Sequence, residues 1–153
     1  QIGEFRDGGV VFWVDSTEQH GLVCDIRDLG VSEWGCYGLP IPGADGTAIG
    51  TGNQNTNDIL ARCLQTGIAA ELCNNSTSGG YNDWFLPSKD ELNQMYINKR
   101  IIEATNGISP FSSYYWTSSE SNLNDAWFQY FFSGSQYDDD QDFKHSVRAV
   151  RSF

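Results

Sequence analysis

The chain has 153 residues, 14% of them aromatic, and sets 20 acidic side chains against 9 basic ones for a formal charge of −11 at pH 7. That length fits one domain spanning residues 1–153 and suffices to bury roughly two thirds of the extended surface, which excludes a chain too polar to fold. The negative field repels phosphate backbones and anionic headgroups, excluding nucleic acid as a partner, and no run reaches the roughly 18 apolar residues of a membrane span.

In chain order, residues 9–15 and 21–25 flank the polar stretch from Ser16 to His20 and predict an opening hairpin. Gly at 35, 38, 43, 46, 50 and 52, with Pro at 40 and 42, predicts a long ordered loop over 34–55. Gly50-Thr-Gly-Asn inside it follows no strand and carries no Lys, so it does not read as a phosphate loop. Thr56 or Asn57 is expected to cap a helix through Ile59, Leu60 and Leu64 that stops at Gly67, with a second short helix from Ile68 to Cys73. Ser88 and Glu91 form a capping-box pattern after Pro87, opening a helix through Leu92, Met95 and Tyr96. Beyond Pro110, strands are expected at 114–118, 126–132 and 145–151, with a turn at 133–135. The sum is an α+β fold, two main helices packed on a small antiparallel sheet with long ordered loops.

Four cysteines in a Gly-rich, Lys-poor chain suggest two disulfides and an oxidising compartment. Three connectivities are possible. Pairing near neighbours, Cys24 with Cys36 and Cys63 with Cys73, closes the shortest loops and is the expectation; four buried free thiols are the alternative. Zinc is disfavoured because no Cys-x-x-Cys pair occurs and His20 and His145 stand alone. The N-terminus lacks a signal-peptide pattern, as expected of a mature chain or one excised from a longer secreted protein.

Four ordered blocks carry a family likeness: residues 8–15, the loop from Ala44 to Thr56, the turn from Gly80 to Pro87, and the C-terminal stretch with Tyr114, Trp116, Trp127, Phe131, Gly134, Lys144 and Arg151. In this order they resemble the C-terminal domain family of bacterial collagen-like adhesins, the Lcl C-terminal domain, whose fold is a variant of the C-type lectin fold. The resemblance implies a ligand-binding module of a secreted or cell-surface protein, and related domains suggest trimers. In such domains positions of the Trp127, Gln129 and Phe131 type belong to the scaffold while intervening ones face ligand. Carried over, this marks Phe128, Tyr130 and Phe132, with Glu120 and Asn124 before the strand and the stretch 133–145 beside it. Alternation alone leaves the face open, because Ala126, Phe128, Tyr130 and Phe132 would equally make a core face.

Phe128, Tyr130, Phe132 and Tyr137 offer apolar faces to a sugar ring or a peptide side chain, with carboxylates at the rim. The family is associated with sulfated glycosaminoglycans, which need Lys and Arg. Here the same region carries Glu120, Asp125, Asp138, Asp139, Asp140 and Asp142 against Lys144 and His145, so a neutral or cationic ligand is expected. Asp138, Asp139, Asp140 and Asp142 are hard oxygen donors suited to calcium, but the EF-hand Gly turn and distal Glu are missing, and a solvated acidic loop is the simpler reading. No other cofactor is implied. All five Trp read as core rings, and Arg148 and Arg151 as partners of carboxylates.

No nucleophile and base stand together in a known motif, so no enzyme is expected; a formylglycine-type cysteine pair, Cys24 with Cys36, is the remote exception. The leading reading is an extracellular adhesion or receptor-binding module for a glycan or protein surface. The alternative is a structural cap or assembly domain of a surface fibre.

Overall fold

The computed structural model describes residues 1–153 and divides the strands between two sheets rather than one. The first joins β1 (Phe5–Arg6), β2 (Gly9–Val14), β3 (Gly21–Cys24) and a C-terminal strand, Val150–Ser152, all antiparallel. The second contains β4 (Val31–Glu33), β5 (Tyr114–Glu120), β6 (Asp125–Tyr130), β7 (Gln136–Asp140) and β8 (Lys144–Ser146), in the spatial order β4-β8-β5-β6-β7. Val150–Ser152 is β9. The helices are α1 (Gly52–Arg62), α2 (Ala69–Asn74), α3 (Lys89–Ile97) and α4 (Lys99–Glu103).

The expected strand over 145–151 is two strands in different sheets, and a buried arginine sits at the crossing. Arg148 lies between β8 and β9 with its guanidinium donating to Asp28 Oδ1 (2.6 Å), the Asp25 carbonyl (3.2 Å) and the Ser109 carbonyl (3.1 Å). That buried cation sits where the chain passes from one ladder to the other, with Val147 still bonded to Gly30 beside β4 and Ala149 to Asp25 beside β3. Arg151, as expected, pairs with a carboxylate, donating from Nε and Nη2 to Asp83 at 2.6 and 2.9 Å.

The first main helix also starts earlier than Thr56. Thr51 occupies the N-cap without a side-chain bond, and the orphan Gly52 N–H reaches Glu91 Oε1 at 3.4 Å, 39 residues away. Thr56 lies inside the helix, its hydroxyl returned to the Gly52 carbonyl at 2.8 Å. The helix ends at Arg62, leaving Leu64 exposed. A cap supplied from a distant segment leaves no local sequence signal.

Glu91 is the pin of this region. Ser88 caps α3 in the predicted capping box, and the fully buried Glu91 carboxylate also accepts from Ser88 N (2.7 Å) and Gly50 N (2.8 Å). A Cβ at Gly52 would collide with that carboxylate. Burial pushes the carboxyl above its usual range, opposed by these donors. Glu91→Gln has one amide oxygen for two sets of N–H groups, so a stability loss of about 1–3 kcal/mol is expected in urea unfolding. A loss under about 0.5 kcal/mol would show the pin to be dispensable.

The long loop is ordered as expected, and tertiary bonds hold it: Glu120 N donates to the Ala44 carbonyl (2.7 Å), Ser119 Oγ to the Gly46 carbonyl (2.7 Å) and Asp90 N to the Thr47 carbonyl (2.9 Å). Two apolar clusters fill the interior. One holds Trp34, Trp84, Trp116, Ile41, Ile59 and Leu86; the other gathers Phe12, Leu92, Met95, Tyr115 and Phe131. The three buried indoles each donate to a carbonyl, of Thr117, Ser78 and Ser32 respectively. Trp13 and Trp127 depart from the expectation, since both remain partly exposed.

The cysteine pairing is corrected as well. Cys36 is bonded to Cys63, 27 residues apart, and Cys24 and Cys73 are buried free thiols. Short loop closure loses here because Cys24 lies on β3 in the second apolar cluster, whereas Cys36 packs against the first, which contains Cys63. Burial pushes the Cys24 thiol up to about 12 and Cys73 well above its usual value. The Cys24–Cys36 pair that formylglycine-type chemistry would use is not formed.

Candidate functional site: an aromatic sheet face

β6 separates two faces of the second sheet. Trp127, Gln129 and Phe131 turn toward the helices: Lys89 Nζ sits 3.6 Å from the Trp127 ring centre, Gln129 Nε2 donates to Asn93 Oδ1 at 2.8 Å, and Phe131 meets Tyr96 edge-on at 5.7 Å. The scaffold role implied for these three positions therefore has a structural counterpart. The other face gathers rings from four strands or their ends, and its Trp116 and Ala126 are buried in the first apolar cluster with Ile59 of α1 and Ala69 of α2.

On this face Tyr114 stacks on Tyr130 at 4.7 Å and 21°, and these residues are direct cross-strand partners. Phe128 lies between Trp116 and Tyr137, its partners on either side. Its ring is stacked by His145 at 4.7 Å and flanked by Tyr114 at 5.9 Å and Tyr137 at 6.1 Å. Tyr130 meets Phe132 edge-on at 5.4 Å. Tyr114 is 42% exposed, Tyr137 58% and Phe132 66%, but Phe128 only 9%.

Phe128 is thus corrected from a ligand contact to the floor of the face. It points to the expected side, yet its own neighbours cover it. Phe128→Ala should lower stability by about 3 kcal/mol, the lower end of the range for truncating a core aromatic. Tyr130→Ala should cost under about 1 kcal/mol because that ring is half-exposed. Thermal melts of the two variants check this, and equal losses would contradict the layering.

The acidic positions do not act as one cluster. Asp138–Asp140 is a strand rather than a loop, and alternation splits it. Asp139 faces the aromatic side and its Oδ2 lies 2.8 Å from His145 Nε2. Asp138 lies opposite Trp127 and accepts from Ser121 Oγ at 2.7 Å; Asp140 lies opposite Asp125, whose neighbouring carboxyl raises its pKa. No group of three His, Cys, Asp or Glu side chains converges in metal-binding geometry. Glu120 and Asn124 sit apart at the β5–β6 turn beside the buried Gln141, whose Nε2 reaches Glu120 Oε1 at 3.5 Å and whose backbone N–H donates to the Asn124 carbonyl at 2.8 Å. The structure therefore brings together Phe128, Tyr130, Phe132, Tyr137 and Asp139, and leaves out Glu120, Asn124, Asp138 and Asp140.

Tyr114 was not among the expected contacts, although its register opposite Tyr130 makes it the centre of the face. Its period-2 relation to Trp116 was the available signal, and pairing with β6 gave that signal a side. Beside it, Val31, Ser113, Lys144, His145 and Ser146 line a shallow depression of about 160 Å³.

Burial pushes the His145 imidazole below its ordinary value, with Asp139 opposing. The neutral ring donates from Nε2 to the carboxylate and keeps Nδ1 as an acceptor. Because the folded-state pKa is depressed, the unfolded chain takes up the proton first. This contribution to stability is present above pH 6.5 and is lost as pH falls through the folded value. His145→Gln should remove that component from a plot of melting temperature against pH, and superimposable wild-type and variant profiles would refute it.

No curated protein sequence matches the chain. Among solved structures it is similar to a fimbrial protein from Bacteroides ovatus ATCC 8483, with a TM-score of 0.62 at 12% identity, covering 98% of this chain and 45% of that one. At that identity the likeness concerns the fold, and this chain spans less than half of the fimbrial protein. The Lcl C-terminal domain model matches residues 44–151, which take in the second half of the ordered loop, all four α-helices and every strand of the second sheet except β4. With more than half of its length matched, the chain belongs to the Lcl C-terminal domain family.

Proposed function

We propose that this domain is a non-enzymatic binding module of a secreted or surface-exposed protein, and that it holds a glycan or protein surface on the aromatic face of its second sheet. The observation that carries the reading is the solvent exposure of Tyr114 and Tyr137 on either side of Phe128, with the exposed Phe132 ring against Tyr130 just past the end of β6. Exposed rings clustered over a rigid floor are costly to leave in water and mark contact surfaces. The Cys36–Cys63 bridge fits an oxidising compartment, and no helix is long and apolar enough to cross a membrane. Two small sheets with a long ordered loop fixed against β5 and α3 are in keeping with a C-type lectin-like variant. The surrounding carboxylates favour a neutral or cationic ligand over a sulfated one. The reading requires no cofactor.

A glycan array probed with the isolated domain, alongside Tyr130→Ala and Tyr114→Ala, is the test. Each substitution should weaken binding by about tenfold at unchanged fold, the loss typical of an aromatic anchor. Ligand binding unaffected by both substitutions would move the site off this face. The second reading, a cap or assembly domain of a surface fibre, draws on the fold shared with a fimbrial protein. It expects the same rings to be covered by a neighbouring subunit, as in a trimer, so Tyr114→Ala and Tyr130→Ala would then lower the oligomer's mass in sedimentation rather than a ligand's affinity.

A further inference from the structure

The second sheet ends at β7, which pairs with β6 alone. Tyr130 N donates to the Ser135 carbonyl at 2.9 Å and Gln141 N to the Asn124 carbonyl at 2.8 Å, bracketing a register that runs from Gln129↔Gln136 to Asp125↔Asp140. Bonded and non-bonded pairs alternate along an antiparallel ladder. The odd-numbered residues of β7 therefore spend their backbone groups on β6, while those of Gln136, Asp138 and Asp140 point out of the sheet. Asp140 is satisfied locally, its N–H by Asp139 Oδ1 at 3.0 Å and its carbonyl by Phe143 N at 2.9 Å. Gln136 and Asp138 keep outward N–H and C=O groups on a strand where Tyr137 and Asp138 are exposed.

Charge decides what this edge accepts. A second copy laid against it would set Asp138, Asp139 and Asp140 against their own counterparts on molecules that each carry −11, so self-pairing is opposed. A basic strand meets the opposite condition. We propose that β7 is a docking edge for an extended Lys- or Arg-rich segment of a partner protein, which adds to the sheet as a further strand. Its backbone bonds to Gln136 and Asp138. Its alternating side chains divide between Asp138 and Asp140 on the helix side and Asp139 with the Tyr137 ring on the aromatic side, where a cation over the ring adds attraction. This inference goes beyond the aromatic-face reading and does not depend on it, since the experiment uses no ligand of that face.

The probe is an acetylated, amidated peptide of alternating Lys and Thr, with a Glu–Thr peptide as comparison, titrated into the domain at low ionic strength. Binding of the Lys–Thr peptide should slow amide exchange at Gln136 and Asp138 by about tenfold or more. Asp138→Asn, which keeps the N–H and removes a rim charge, should weaken binding by about threefold. Asp138→Pro removes an N–H that faces away from β6, a substitution edge strands tolerate, and should weaken binding by about tenfold or more and abolish the protection at Gln136. The proposal is overturned if the peptide binds wild type without slowing the Gln136 and Asp138 amides, if the Glu–Thr peptide binds equally well, or if Asp138→Pro and Asp138→Asn bind alike. The exchange measurement on wild type stands even if the proline variant folds poorly.

Discussion

Arg148→Met should destabilise the domain by about 3 kcal/mol, the lower end of the cost of removing one partner from a buried charged pair, because the Asp28 side chain stays 24% exposed. The guanidinium is fully buried, donates to Asp28 and to the carbonyls of Asp25 and Ser109, and lies 4.4 Å from the Phe111 ring centre. Asp28 in turn accepts from Tyr115 Oη through both oxygens at 2.9 Å, and burial beside that carboxylate pushes the phenol up to about 12. Met fills much of the volume but leaves two carbonyls and a carboxylate without their donor. Urea unfolding measures the loss. Arg148→Met combined with Asp28→Asn should recover part of it, because the stranded charge is gone. A single-variant loss below about 1 kcal/mol would show that water replaces the guanidinium, and that the crossing between the sheets does not depend on it.

Removing the bridge with Cys36→Ala and Cys63→Ala should cost about 3.5 kcal/mol, the loop-closure entropy of a 27-residue separation. The segment it closes contains Ile41, Ala44 and Ile59 of the first apolar cluster and has no strand of its own before α1, so its order depends on anchors at both ends. Peptide mapping under non-reducing conditions should recover one Cys36–Cys63 bridge and two thiols, with Cys24 and Cys73 reacting only after denaturation. A Cys24–Cys36 peptide would overturn the pairing. A double variant as stable as wild type would place the loop's order in Glu91 and the hydrogen bonds accepted by the carbonyls of Ala44, Gly46 and Thr47 instead.

Much of this was legible in local patterns. The capping box at Ser88 and Glu91 announced α3 because both halves of the motif lie within four residues. The opening hairpin showed for the same reason, with two apolar runs and a short polar connection. β7 did not show, because Tyr137 followed by three Asp has neither the composition nor the alternation of a half-buried strand; it is a strand because β6 offers it a ladder. β4, only three residues long, exists by pairing with β8. The start of α1 was hidden because its cap comes from Glu91.

The candidate site divides along the same line. Sequence by itself determined an acidic α+β chain, the Lcl C-terminal domain likeness, the aromatic stretch that supplies the face, and the alternation that separates Trp127, Gln129 and Phe131 from Phe128 and Tyr130. Tertiary structure alone decided which rings meet solvent, since Phe128 is covered by Tyr114, Tyr137 and His145 from three other strands. It likewise decided which cysteines bond and where the C-terminal strand breaks to bury Arg148. Periodicity and capping are set by covalent neighbours a few residues apart, whereas exposure, disulfide pairing and the satisfaction of a buried charge depend on groups that only folding brings within a few ångströms.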